Sequence, residues 1–394
     1  MGRQVSNMFC VDGSKGYTMC LSDNGDVHCF GNMNPFETED STSSKIIIPA
    51  IQNIRSINSG KFHNICLDVN GCLYTFGMND KGQLGVGTPS FVESVFNSLK
   101  YWLGGTPKSS FIKELQLVQL PPIKQVSCGR EFTVCLTEEG ELYSFGLHGI
   151  VQLGIGRGEK LYYDFPQKIP NLKDVEFVEC GGGHTVCKTK NNEIYVWGNN
   201  NAGQLGITGV LLPCSPQLCK DWPDNVADVK CGDAHTLVLT SDGDVYSCGY
   251  NSYGQTGRIC KSSSNAITLK KIDELSRIIR IECGYNHSMC IDSNNDLFVF
   301  GCNQSGQLGL GTRYDIKTPI KHPTLSNIID ISSGGEHTFV KTSNNEIYAF
   351  GRNYYSQLGI KTEHKQLTPI RVFEDNEDIW CSNINKSKQK PARF

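Results

Sequence analysis

An all-β fold is predicted for this chain: a seven-bladed β-propeller with four antiparallel strands per blade and one helical insertion. Three observations predict it. A glycine-rich phrase recurs along the 394 residues, a second motif precedes each copy at a constant distance, and tight-turn dipeptides separate the strand-like runs between them.

The phrase reads YTFGMNDKGQLGVG at Tyr74–Gly87, YVWGNNNAGQLG at Tyr195–Gly206, FVFGCNQSGQLGLG at Phe298–Gly311 and YAFGRNYYSQLG at Tyr348–Gly359. Looser copies are YSFGLHGIVQLGIG at Tyr143–Gly156 and YSCGYNSYGQTG at Tyr246–Gly257. One glycine-rich turn after a strand can cradle a phosphate. A turn repeated along the whole chain is architecture, and GxxxxGK[ST] does not occur. The preceding motif reads SGKFHN at Ser59, CGREFT at Cys128, CGGGHT at Cys180, CGDAHT at Cys231, CGYNHS at Cys283 and SGGEHT at Ser333, with a degenerate DGSKGYT at Asp12. From its last residue to the next phrase's glycine the step is always 13: Thr18–Gly31, Asn64–Gly77, Thr133–Gly146, Thr185–Gly198, Thr236–Gly249, Ser288–Gly301 and Thr338–Gly351. These glycines recur every 46 to 52 residues, apart from a step of 69 between Gly77 and Gly146. Such a period belongs to propellers, solenoids and arrays.

The strand chemistry selects the propeller. Each unit opens with an apolar run ending in Cys/Ser-Gly, the innermost strand, followed by a run such as HTVCKT. An Asn24-Gly25, Asp242-Gly243 or Asn294-Asn295 turn then returns the chain into an aromatic-rich strand such as EIYVWG. Proline recurs 18 residues past the key glycine at Pro49, Pro216, Pro319 and Pro369, with Pro166 two residues later. Proline cannot donate to a ladder, so it is expected to start the outer edge strand. No unit has the 3.6-residue apolar period of paired helices. The leucines of the phrase, Leu84, Leu205, Leu308 and Leu358, are expected between blades. Blades fall near residues 7–51, 52–118, 119–170, 171–219, 220–272, 273–321 and 322–384, with a basic tail at 385–394. Both SNMFCVDG at Ser6–Gly13 and EDIWCSNI at Glu377–Ile384 suit the innermost strand of blade one, so the ring is expected to close with the termini sharing that blade.

Composition bounds the function. A net charge of −3 gives no whole-chain attraction to nucleic acid, and no apolar run reaches a membrane-spanning length. Of the 18 cysteines, Cys128, Cys180, Cys231 and Cys283 share one repeat position, while Cys20, Cys66, Cys135, Cys187 and Cys290 share another. With no apolar export signal at the start, they are read as reduced, packed thiols in a cytoplasmic or nuclear protein. No paired CxxC suggests zinc, and the repeat histidines His63, His184, His235, His287 and His337 lie one to a blade, whereas a metal needs convergent ligands. They are expected to brace each blade's first loop. No metal, cofactor or catalytic residue is expected.

The combination of CGxxHT with xLYxFGxNxxGQLG resembles the repeat of the regulator of chromosome condensation family, over roughly residues 7–383. The resemblance implies a seven-bladed propeller. It is less specific for function, because members include an exchange factor for the Ran GTPase, an ultraviolet-B receptor and propellers of ubiquitin ligases. That receptor uses clustered tryptophans, whereas Trp102, Trp197, Trp222 and Trp380 are scattered here. The exchanger acts through a wedge from one blade and acidic or histidine loop residues. The third repeat departs in that region, with Leu147-His148-Gly149-Ile150-Val151 in the turn and Phe132 in place of histidine.

In an up-and-down blade the first-to-second and third-to-fourth connections share one face, and loops on a rigid scaffold collect binding residues. The first loops supply Lys61, Phe62, Arg130, Glu131, Asp233, Tyr285, Asn286 and Glu336. The second loops supply Asp80, His148, Arg157, Tyr250, Tyr253, Arg352, Tyr354 and Tyr355. The long step adds an insertion at 88–110 in which SFVESVFNSLKYWL carries an amphipathic helical stripe, capped by Ser90 and Glu93 and stopped by Gly104-Gly105. Phe91, Val95, Phe96, Leu99 and Trp102 on that stripe form a candidate docking helix, for the chain's own blades or for a partner. The tail NKSKQKPARF carries four positive charges, and MGRQVS loosely fits a myristoylation pattern made unfavourable by Arg3.

The expected function is a non-enzymatic protein–protein interaction platform, monomeric and without chromatin as a partner. The alternative is a guanine nucleotide exchange factor or regulator of a Ran-like small GTPase.

Overall fold

The computed structural model describes residues 8–11, 16–21, 27–31, 46–47, 53–87, 111–259, 265–360 and 364–372. They form seven four-stranded antiparallel sheets, each meandering outward in chain order, and no α-helix occurs among them. The helical insertion expected at 88–110, with Phe91, Val95, Phe96, Leu99 and Trp102, lies outside the described residues. So does Glu377–Ile384. The innermost strand of the first sheet is Met8–Val11, which neighbours the inner strands of the last blade, Ile328–Ser333 and His337–Thr342. The N-terminal segment therefore closes the ring among the described residues.

The constant spacing of 13 is a hairpin register. The residue before the motif's last Thr, Ser or Asn faces the key glycine directly, as in His63↔Gly77, His184↔Gly198 and His337↔Gly351. That glycine has φ between +91° and +111° in every blade, and in blades two, three, five, six and seven the pairing with the outer strand shifts register there. A side chain would also collide with the first loop: at Gly77 a Cβ would lie 2.5 Å from the Phe62 carbonyl oxygen. The prolines sit differently from expectation. Pro166, Pro319 and Pro369 lie inside the outermost strands Tyr162–Lys168, Ile316–Lys321 and Lys365–Val372, Pro216 immediately precedes its strand, and Pro49 lies outside the described residues. An edge strand has one unpaired side, so proline is tolerated within it.

The core is divided among the seams between blades. Leu205 is buried with Val186 and Val196 of blade four and with Trp222, Val229 and Val238 of blade five. Leu308 joins Met289 and Val299 of blade six to Ile328, Val340 and Phe350 of blade seven. Burying such a side chain contributes about 1.5–3 kcal/mol. The described cysteines are all free, and burial pushes the inner-strand thiols upward, Cys180 and Cys66 to about 12.

The repeat histidines do more than brace their own loops. Each imidazole Nε2 lies 2.9–3.1 Å from a hydroxyl of the next blade: His63–Thr133, His184–Thr236, His235–Ser288, His287–Thr338 and, across the closure, His337–Thr18. Each hydroxyl in turn donates to the carbonyl of the preceding blade's GQLG glutamine, at 2.6–3.1 Å: Gln83, Gln204, Gln255, Gln307 and Gln357. A hydroxyl has one hydrogen, and a carbonyl can only accept. The imidazole must therefore donate, which fixes the neutral tautomer protonated at Nε2. Five seams carry this clasp. At the other two, rings fill the space: Phe132 packs on Val178 and Cys180 of blade four, and Tyr17 packs on Ile54 and Ile57 of blade two.

Burial holds the five clasp histidines to about 3, against an ordinary value of 6.5. The unfolded chain therefore binds more protons between those values. Their contribution is fully present above about 6.5 and is lost as pH falls toward 3, by up to roughly 1.4 kcal/mol per pH unit for each histidine. The melting temperature should fall steeply on acidification below neutrality, and His184→Phe, which copies Phe132, should make that fall shallower. An unchanged slope would show that the histidines are not buried neutral. Thr236→Val leaves the His184 donor unpaired and the Gln204 carbonyl with only the Cys248 thiol, 3.4 Å away, and should cost about 1–3 kcal/mol in urea unfolding.

Candidate functional site: the loop face

The first loops of blades two to seven are joined by a chain of backbone hydrogen bonds around the axis. The Lys61 amide donates to the Arg130 carbonyl, Arg130 to Gly182, Gly182 to Asp233, Asp233 to Tyr285, and Tyr285 to Gly335, at 2.8–3.2 Å. These are the same motif position in blades two to seven. The adjoining glycines make the approach feasible: a Cβ at Gly181 would lie 2.1 Å from the His184 ring and 2.4 Å from the Gly232 carbonyl oxygen. The next motif position ties the loop to its own blade, its carbonyl accepting from the residue after the key glycine, as in Met78 to Phe62, Tyr250 to Ala234 and Arg352 to Glu336.

The second loops are held by their own side chains. Asn79 accepts from the Leu84 amide and donates to the Gly87 carbonyl; Asn200, Asn251, Asn303 and Asn353 repeat the pattern. The glutamine side chain accepts a turn amide, as Gln204 does from Ala202 and Gln357 from Tyr355. The polar groups of GxNxxGQLG are thus used internally, which explains why the phrase recurs.

This geometry corrects one candidate. His148 occupies the asparagine position of the third repeat; it is 4% exposed, its Nε2 lies 3.0 Å from the Gly156 carbonyl, and burial lowers its basicity. It is a substitute for the turn asparagine and does not reach the face. Aligning GLH with GxN would have revealed this. The other candidates lie on the loop face. Near the axis, the Arg130 guanidinium spans from blade three to Asp233 of blade five, with contacts of 2.5 and 2.6 Å, and lies 5.8 Å from the Tyr285 ring of blade six. Burial raises the Asp233 carboxyl although this guanidinium pulls it down. Lys61 lies over Phe62. Glu131 is half-buried, Arg157 is exposed, and Asp80 pairs with the adjacent Lys81 and with Gln83. Asn286 accepts from Gln255. Glu336 accepts from Ser305 and Arg352.

The sector over blades five to seven is aromatic and basic. Tyr250 and Tyr253 meet edge to face. Tyr354 is stacked on His364 at 4.7 Å, the Arg352 guanidinium lies 5.5 Å from Tyr354 and 6.0 Å from Tyr355, and Lys365 lies 6.0 Å from Tyr354. Trp197 and Trp222 are buried in separate clusters; Trp102 and Trp380 lie outside the described residues.

Sequence reasoning missed the axial channel. The glycine loops narrow its loop-face end to about 110 Å³, while the opposite end widens to about 530 Å³. Glu179, Lys230 and Glu282 hold one repeat position on successive inner strands, and Asp228, Arg280 and Asp330 hold another. Arg280 pairs with Asp330 at 2.6 Å and Lys230 with Glu179 at 4.0 Å; burial pushes the Glu179 carboxyl up to about 7. The alternation of sign in the column before the repeat cysteine was the available signal.

Comparison with known proteins places this geometry. A model of the regulator of chromosome condensation (RCC1) repeat matches residues 70–136, 139–187, 191–239, 242–291, 294–340 and 344–382, and a second model of the repeat matches 54–83, 175–204, 226–255, 278–307 and 328–357. The chain is 28% identical over 331 residues to the ultraviolet-B receptor UVR8 of Arabidopsis thaliana, across 81% of this chain and 70% of the receptor. It is 32% identical over 291 residues to the serine/threonine-protein kinase Nek9 of Mus musculus, across 69% of this chain but only 28% of the kinase. Among solved structures, Prp20p of Saccharomyces cerevisiae has a TM-score of 0.74 at 20% identity, covering 91% of this chain and 88% of that one. Human WBSCR16 has a TM-score of 0.71 at 21% identity, covering 85% of each chain.

If His148 is a turn residue, His148→Asn should leave the melting temperature nearly unchanged, while His148→Ala should cost about 1–3 kcal/mol by leaving the Gly156 carbonyl unpaired. Equal losses in both variants would contradict the substitution.

Proposed function

Because the chain belongs to the regulator of chromosome condensation (RCC1) repeat family, we propose that it is a non-enzymatic protein–protein interaction platform whose partner docks on the loop face. One observation carries this reading. The repeat's histidines, threonines, asparagines and glutamines are engaged in seams and turns, while the positions that vary between repeats carry Lys61, Phe62, Tyr285, Arg352, Tyr354 and Tyr355 in the loops of blades two, six and seven. Tyrosine and arginine are the commonest interface anchors, and a preformed surface lowers the ordering cost of association.

Prp20p, which shares the fold, was described with binding properties to Gsp1p and histones. A small GTPase is therefore one class of partner to test. An exchange factor needs no acid–base residue, only tighter binding to the nucleotide-free GTPase.

The test is affinity capture with the purified chain, comparing wild type, the loop-face variant Arg352→Glu/Tyr354→Ala and the hairpin-face variant Lys190→Glu, in the turn between the second and third strands of blade four. The loop-face variant should lose a captured protein by at least about tenfold, and the hairpin-face variant should retain it. Loss on the hairpin face instead would overturn the assignment. Accelerated GDP release from one member of a GTPase panel would replace the platform reading with exchange activity.

A further inference from the structure

Charge on the blades is neutralised by a repeated device. A cation of the outermost strand pairs with an acid beside the start of the third strand: Lys168–Glu141, Lys271–Asp244, Lys321–Asp296 and Arg371–Glu346, at 2.5–3.2 Å. On the loop face, Arg130 has Asp233 and Arg352 has Glu336. Two other cations converge on one carbonyl oxygen instead. Arg313 Nε donates to the Gln304 carbonyl at 3.1 Å, and Lys365 Nζ donates to the same oxygen at 3.2 Å. They come from blades six and seven, and among the described residues neither has a carboxylate within 4.0 Å. Among the described residues the Arg313 Nη groups and the other two Lys365 hydrogens have no acceptor. Beside them lies Tyr354, 46% exposed, with Lys365 and Arg352 over its ring.

We infer that this junction of blades six and seven receives an acidic segment of a protein partner. Its carboxylates are taken by Arg313 and Lys365, and a neighbouring apolar side chain rests on Tyr354. The inference rests on the platform reading and names the partner's chemistry. Two like charges converging on one carbonyl repel each other, and a carboxylate between them relieves that repulsion with charge-assisted, fork-like bonds. The surroundings favour a short acidic segment over a nucleic acid. Asp315 accepts from the Asn303 amide and Glu336 accepts from Ser305, so a carboxylate stands on each side of Gln304. A continuous phosphate backbone would have to cross one of them. Spaced peptide carboxylates need not.

The experiment is fluorescence anisotropy on the full chain with three fluorescein-labelled probes: an Asp/Glu-rich peptide containing leucine, its Asn/Gln counterpart, and a single-stranded oligodeoxynucleotide. The acidic peptide should bind at least about tenfold more tightly than either other probe, and more weakly as salt rises. Arg313→Ala with Lys365→Ala should lower its affinity about tenfold at an unchanged melting temperature, whereas Lys190→Ala should not. No binding, tighter binding of the oligonucleotide, or binding indifferent to the double variant overturns the inference. If a captured partner depends on Arg352 and Tyr354 but not on Arg313 and Lys365, only this inference fails. If it depends on none of them, the platform reading fails as well.

Discussion

The three-part clasp at the blade seams is the interaction on which the rest of the molecule depends. An imidazole of one blade donates to a hydroxyl of the next, and that hydroxyl donates back to the first blade's turn carbonyl. Five of the seven seams are thereby locked at the second strand and the loop-side turn together. The lock is buried, so its polar groups are costly to leave unpaired. Closing the ring requires the same bond between residues 319 apart, His337 and Thr18. Topology alone leaves the first and last blades as open edges, and this pairing joins them.

From the clasp follows the rigidity of the loop face. Glycine is required three residues before the histidines of blades two, four, five and six, because the neighbouring blade's carbonyl sits where a Cβ would be. That proximity lets the loop amides of blades two to seven link one to the next around the axis. The face is therefore built from backbone, and the side chains on it are free to vary. This separation explains how one scaffold serves unrelated partners across a family, and why function has to be argued from surface residues and not from the fold.

Much of this was legible in the sequence, because the repeat is a record of seam geometry. The spacing of 13 is the hairpin register, and the buried leucine of GQLG follows from its repetition. The matched repeat 191–239 begins in the turn before the third strand of blade four and ends in the second strand of blade five. The unit that recurs is thus the junction between blades, and a frame drawn blade by blade hides the partner of each histidine. His148 misled for a related reason: a histidine in a loop suggests chemistry until its column is recognised as the turn asparagine. The channel charges escaped because their partners lie one blade apart, about 50 residues along the chain, where no local pattern links them.

The most direct test of the account is native-state hydrogen exchange at the loop amides of Lys61, Arg130, Gly182, Asp233 and Tyr285. If the seams lock the face, these amides should exchange as slowly as the inner strands and by the same cooperative opening, despite lying in loops at the surface. Exchange at the rate of the outer turns, with the strands still protected, would show that the face is independent of the seams and would contradict the account.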